Sequence, residues 1–180
     1  PYLLQENESA NLDLVSIGNI HIELMGVYSE KIKSIDELPE NAEIGIPDDT
    51  SNGVRALLLL EKLGIIKLKE GVGFEATVFD IEENPKNVKI VEQNAAMLTR
   101  TLQDLDIAVI NGNYALEAGY DILKDAIALE EKDSPYANVI AVRAEDKEKP
   151  ELLELVSSLQ SEEVKKYIEE NYNGAVSPSF

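Results

Sequence analysis

The chain has 180 residues, and its 16 Lys and Arg against 35 Asp and Glu leave a formal net charge of −19 at pH 7. That balance excludes sequence-independent nucleic-acid binding and docking on anionic lipid through basic patches, leaving a small solute or another protein as partner. The absence of cysteine excludes a disulfide, a thiolate nucleophile or a zinc–thiolate site, and no apolar run reaches the roughly 18–20 residues that cross a bilayer. The length suits one domain or two small lobes with a real core. Pro1-Tyr2-Leu3-Leu4 carries neither an initiator Met nor a signal-peptide pattern, so an internal start is expected.

Pro1 to Leu4 can open a helix, with proline in its first turn. A long β-type run follows to Tyr28, interrupted by Gly18-Asn19 and by Gly26, and reads either as two strands or as one bent segment passing between lobes. His21, the single histidine, alternates with Ile20 and Ile22 and reads as a half-exposed strand residue without a partner for metal or triad chemistry. Ser34 to Leu38 fits a short capped helix stopped by Pro39.

Ala42 to Gly64 organises the chain. Glu43 to Pro47 predict a strand, Asp48 to Asn52 offer several capping side chains, and the apolar run from Ala56 to Leu60 predicts a helix buried on most sides and closed by Gly64. Arg55 is placed in the first helical turn, where a cation opposes the dipole and needs an anion nearby. The local candidates are Asp48 and Asp49; the alternative is a ligand carboxylate or phosphate held by the helix start and the guanidinium fork together.

Lys67 to Glu70 read as a polar connector. Gly71-Val72-Gly73-Phe74-Glu75-Ala76 formally satisfies a dinucleotide fingerprint, yet no apolar strand precedes it and Ala76 to Ile81 alternate like a strand, so the glycines are assigned to a turn. Val88 to Glu92 and Leu105 to Ile110 predict strands, Asn94 to Gln103 a helix, and Tyr114 to Ala118 another. This alternation suggests βαβ crossovers in a mostly parallel sheet, whose ligands sit beyond the carboxyl ends of the strands. Asp48 to Asn52 and Asn111 to Asn113 both occupy that position, so Arg55 and Asn111 are expected to converge on one crevice. Asp133 to Asn138 form a predicted turn before a strand at Val139 to Arg143, where Asn138 is either an Asx-turn residue or a functional amide. Two amphipathic helices, 150–159 and 161–172, complete the tail, and there is no internal repeat.

Several stretches, in order and across essentially the whole chain, resemble the NlpA/MetQ lipoproteins, the methionine-binding components of bacterial ABC importers. They are PYL at 1–3, VSIGNIHIELMGVYSEKIKSIDELP from Val15, IPDDTSNGVRALLLLEKLGIIKLKEGVG from Ile46, DIEENPKNVKIVE from Asp80, DIAVINGNYALEAG from Asp106, SPYANVIAVR from Ser134, QSEEVKKYI from Gln160 and GAV from Gly174. The resemblance implies an α/β, type II-like periplasmic binding protein of two lobes joined by crossing strands. Residues 1–27 with 139–180 would form lobe one, lacking its N-terminal part, and 28–138 lobe two. It implies capture of L-methionine or a related amino acid for an ABC permease, with no cofactor and no catalysis. Arg55 matches the arginine that grips the ligand carboxylate, and Asn111 and Asn138 match ligand-binding asparagines; Asn113 and Tyr114 lie beside them. In the family a further N-terminal segment precedes PYL, with the signal peptide, the lipid-bearing cysteine and part of lobe one. An extracytoplasmic, lipid-anchored protein is therefore implied, with the anchor outside this chain. Where the family reads IPNDPTNLGRALLLL, this chain has Asp48, Thr50, Ser51 and Gly53-Val54, which keeps a pair between Arg55 and Asp48 open.

Two other readings stay open. The same fold can take another amino acid, a short peptide or a partner protein. An α/β enzyme is disfavoured by the lone histidine and by the absence of cysteine, of G-x-S-x-G and of a phosphate loop.

Overall fold

A computed structural model describes residues 1–131, 135–172 and 174–180. They divide into two compact units, Pro1–Leu24 with Glu131–Phe180 as unit 1 and Met25–Glu130 as unit 2. The sequence places these divisions at 27/28 and 138/139, which puts Asn138 with the middle stretch, whereas compactness groups it with unit 1.

Unit 1 opens with α1 (Tyr2–Ala10), which follows Pro1 and stops where Asn11 turns left-handed. The Asn7 amide both donates to and accepts from the backbone of Leu14, tying the helix to β1 (Leu14–Glu23). The long β-type run is two strands. Gly18-Asn19, expected as a break, lies instead within β1 and shifts its register. The run parts at Leu24-Met25, where the chain enters unit 2.

Unit 2 begins with β2 (Gly26–Tyr28), then a 3-10 turn at Ile35–Glu37 that Ser34 caps by accepting from the Asp36 N–H at 3.3 Å. β3 (Glu43–Pro47) leads into α2 (Thr50–Lys62), whose N-cap is Asp49. Its C-terminus closes through Gly64 at φ 71°, with Gly64 donating to Glu61 O and Ile65 to Leu60 O, which satisfies two carbonyls the helix leaves open. The predicted connector and strand from Lys67 to Ile81 differ from expectation. Lys67–Leu68 (β4) and Ile81–Glu83 (β5) form a small antiparallel ribbon, while Val78–Asp80 is a 3-10 turn held by a Thr77–Asp80 capping box. The capping contacts outweigh the alternation because so short a segment has no sheet partner to reward it. The two glycines do make the turn, Gly71 and Gly73 both having positive φ.

β6 (Lys89–Gln93) follows, then 3-10 turns at Ala95–Met97 and Leu102–Asp104 on either side of α3 (Leu98–Thr101), in place of one continuous helix. β7 (Ile107–Ile110), α4 (Gly112–Glu117), α5 (Ile122–Asp125) and β8 (Ala128–Leu129) end the unit. Its sheet runs β6-β3-β7-β2-β8. β3 is parallel to β6 and β7, whereas β2 is antiparallel to β7 and β8, so the sheet is mixed rather than mostly parallel. Ile44, Ile46, Leu57, Leu60, Ile107 and Val109 are fully buried between sheet and α2, and an apolar layer of this kind is the main stabilising term of such a unit.

The chain returns to unit 1 at Glu131 and contributes β9 (Asn138–Arg143), α6 (Pro150–Leu159), α7 (Glu162–Tyr172) and β10 (Val176–Pro178). The sheet order β10-β1-β9 is antiparallel throughout. α6 lies so close to β1 that a Cβ on Gly18 would come within 2.5 Å of Val156 Cγ1. Asp133 and Ser134 of the expected turn lie outside the described residues. Asn138 is a strand residue, not the head of an Asx turn.

Candidate functional site

The carboxyl ends of β3 and β7, neighbours in parallel, lie on one edge of the unit 2 sheet. β8 runs antiparallel to β2, which runs antiparallel to β7, so β8 also ends on that edge. Three short segments emerge there: Asp48–Asp49 before α2, Asn111 before α4, and Glu130 after β8.

Arg55 is the sixth residue of α2, in its second turn rather than its first, where the dipole field has largely decayed. The stronger constraint on it is burial, since it is 8% exposed. The anion it requires is neither Asp48 nor Asp49 but Glu130. Arg55 Nε donates to Glu130 Oε1 at 3.0 Å and Oε2 at 3.1 Å, and Nη2 donates to Oε2. Glu130 Oε2 also accepts the Met25 N–H at 3.3 Å, and the Glu130 N–H donates to Met25 O. One carboxylate thus ties α2 to the first and last residues of unit 2.

The expected partners fail for a local reason. Asp49 is the N-cap, and its Oδ1 is turned back over the helix start to accept the Asn52 N–H at 3.0 Å. Asp48 is exposed, and its N–H donates to Gln93 O.

Asn52 lies one turn before Arg55 on the same side of α2. Its Nδ2 donates to both oxygens of Asp49 at 3.1 Å, and its Oδ1 accepts from Asn111 Nδ2 at 2.7 Å. Asn111 is the N-cap residue of α4 by backbone geometry but makes no side-chain cap, which leaves its amide for Asn52. Asn111 Oδ1 is buried and has no hydrogen-bond partner among the described residues. Asn52 therefore bridges the segments that carry Arg55 and Asn111. Asn113 and Tyr114, half-buried, belong to the first turn of α4.

Asn138 belongs to unit 1. It is exposed, stands opposite His21 in the β1–β9 pairing, and its Nδ2 is 3.3 Å from His21 Nε2. His21 Nε2 also lies 3.1 Å from Glu23 Oε1, so the histidine does have polar neighbours that the sequence does not reveal. No cluster of three or more metal-ligating side chains occurs among the described residues, and no helix there is long and apolar enough to cross a membrane.

Asn52 and Glu130 are the two site residues that sequence reasoning missed. Asn52 is visible only as one of several capping candidates. Glu130 stands in Glu-Glu-Lys-Asp, a run that reads as solvated, and only the pairing of β8 with β2 brings it to Arg55.

Known proteins share this arrangement of elements. A nutrient-binding protein from Burkholderia cenocepacia, whose structure was solved bound to methionine, is 51% identical, with a TM-score of 0.95 over 100% of this chain and 76% of that one. The D-methionine-binding lipoprotein MetQ of Escherichia coli K12 is 44% identical over 176 residues, 97% of this chain. Outer membrane lipoprotein 2 of Mannheimia haemolytica is 46% identical over 98% of this chain. The chain spans 65% and 64% of the length of these last two relatives. The fold is thus α/β and type II-like among substrate-binding proteins. The model of the NlpA lipoproteins matches residues 1–180, every position of the sequence, and the chain accordingly belongs to the NlpA lipoprotein family.

Proposed function

We propose that this chain is the solute-capturing part of an extracytoplasmic methionine-binding protein, lipid-anchored through residues outside the chain, that serves an ABC importer and performs no catalysis. The observation that carries the reading is the buried Arg55 beside an Asn52–Asn111 amide pair at the strand ends, in a chain whose whole length matches a protein solved with methionine. Arg55 supplies the positive charge for the ligand carboxylate, and Asn111 and Asn138 the polar contacts; Asn113 and Tyr114 flank the first of these. Glu130 holds the guanidinium before any ligand arrives, so little ordering is left to binding.

A micromolar complex needs about −8 kcal/mol, within reach of one charge-assisted pair, a few hydrogen bonds and a buried thioether chain. Isothermal titration with L- and D-methionine tests the reading. Micromolar or tighter binding is expected, weakened at least about tenfold in Arg55→Ala and Asn138→Ala by loss of a charged or buried hydrogen bond. Unchanged affinity in both variants overturns the residue assignment. Mass spectrometry of the ligand that co-purifies separates methionine from another amino acid or a short peptide.

A further inference from the structure

Asparagine amides are directional only if something distinguishes their oxygen from their nitrogen. Asp49 does so here. An ionised carboxylate only accepts hydrogen bonds, so the Asn52 group facing its two oxygens has to be the NH2. That places Asn52 Oδ1 on the other side, where it accepts only from a donor, and so the Asn111 group facing it is again the NH2, at 2.7 Å. The Asn111 oxygen is left as a buried acceptor with no partner among the described residues. Leaving a buried acceptor unmade is unfavourable, so the arrangement is set up for a donor that arrives later.

We propose that Asp49, acting through Asn52, is a positioning residue that fixes the polarity of the Asn111 amide, so that the ligand group received there is a hydrogen-bond donor such as the ammonium of a zwitterionic amino acid. The ligand half rests on the proposed amino-acid-binding function; the relay itself does not. Asp49 has a second task as the α2 cap, and the two are separable. Asp49→Asn is isosteric and keeps a capping oxygen for the Asn52 N–H, yet it can present an NH2 to Asn52 and so permits the reversed arrangement.

The test compares L-methionine with its des-amino analogue by titration calorimetry on the full chain, together with the side-chain amide resonances of Asn111 in the ligand-free protein. In the unaltered chain methionine is expected to bind about a hundredfold more tightly than the analogue, the scale of a hydrogen bond involving a charged group. Asn52→Leu is expected to reduce that preference about tenfold, and Asp49→Asn several-fold, while Asn52→Asp, which still accepts from Asn111, retains it. Thermal melts show whether the variants remain folded, a purely structural role moving the melt but not the preference. In the ligand-free protein, exchange of the Asn111 side-chain amide protons with solvent is expected to quicken in Asn52→Leu and not in Asn52→Asp. An unchanged preference in folded Asn52→Leu, or equal binding of the analogue by the unaltered chain, overturns the proposal. Absence of methionine binding by the unaltered chain overturns the functional reading and the ligand half with it, whereas unaltered amide exchange in Asn52→Leu overturns the relay.

Discussion

Glu130 meets Arg55 with side chains that are 13% and 9% exposed, so both charges are largely withdrawn from water. Glu130→Ala is expected to lower stability by about 3–5 kcal/mol, because it removes the carboxylate that meets the buried guanidinium at both Nε and Nη2, and Glu130→Gln by less. Urea denaturation followed by circular dichroism measures both; a change below 1 kcal/mol in Glu130→Ala, about the value of an exposed pair, would contradict this account. That Arg55 needs an anion was expected from the helix dipole, whereas it is the burial of the guanidinium in the second turn that requires one. Which anion was not readable, because a pair that joins α2 to the end of β8 depends on strand order and leaves no mark on neighbouring residues. Tyr28 poses the opposite case. It is 1% exposed, its hydroxyl has no hydrogen-bond partner among the described residues, and its ring packs on Tyr120 with centroids 5.3 Å apart. Burial first, then the charges of Asp125 and Asp121 and the neighbouring Tyr120, push its ionisation well above the usual phenol range. The folded state therefore keeps a proton that the unfolded chain loses near pH 10, and stability falls as pH rises above about 10. Tyr28→Phe is expected to leave stability at pH 7 unchanged or raise it by up to about 1 kcal/mol, and to flatten the alkaline decline in thermal melts. A steeper decline in the variant would refute the assignment.

Among the elements, several were readable: α6 and α7 from their amphipathic spacing, α2 from its capping residues and the apolar run from Ala56 to Leu60, β3 from its alternation up to Pro47 and β7 from a largely β-branched run. α5, β8 and β10 have between two and four residues each, too few for any period, and their existence follows from what they pack against. The segment from Ala76 to Ile81 shows how alternation misleads when Thr77 and Asp80 make a local cap. Asp80 is also held below the usual carboxylate range, chiefly by the Thr77 hydroxyl and then by Lys69. Its contribution is present above about pH 4 and is lost as pH falls through the lowered value, so Asp80→Asn is expected to remove part of the acid sensitivity of this segment, measured by amide exchange between pH 5 and about pH 3. Gly45, central in β3, makes room for α3 and the residues after it. A Cβ there would stand 2.5 Å from Leu105 Cδ1 and 2.9 Å from Leu98 Cδ2, so Gly45→Ala is expected to cost about 1–3 kcal/mol by overpacking, read from the urea midpoint. An unchanged midpoint would show that the two leucines can move aside.

At the scale of the molecule, the two units differ in how the chain builds them. Unit 2 is one uninterrupted stretch and carries a full apolar cluster of its own, from Met25 to Val109. Residues 25–130 expressed alone are expected to unfold in a single cooperative urea transition; a gradual loss of ellipticity would show that the stretch depends on the rest of the chain. Unit 1 is assembled from both ends of the sequence, with Val15 pairing with Val142 and Ile22 with Ser177. Synthesis makes the strands of that sheet available at different times. Among the described residues both partners of β1 are encoded after the whole of unit 2, so neither of these two pairings can form until the strands at 138–143 and 176–178 have been made. During that interval the edges that β9 and β10 later cover are open to wrong partners, and a chaperone holding the nascent chain would have those edges of β1 to shield.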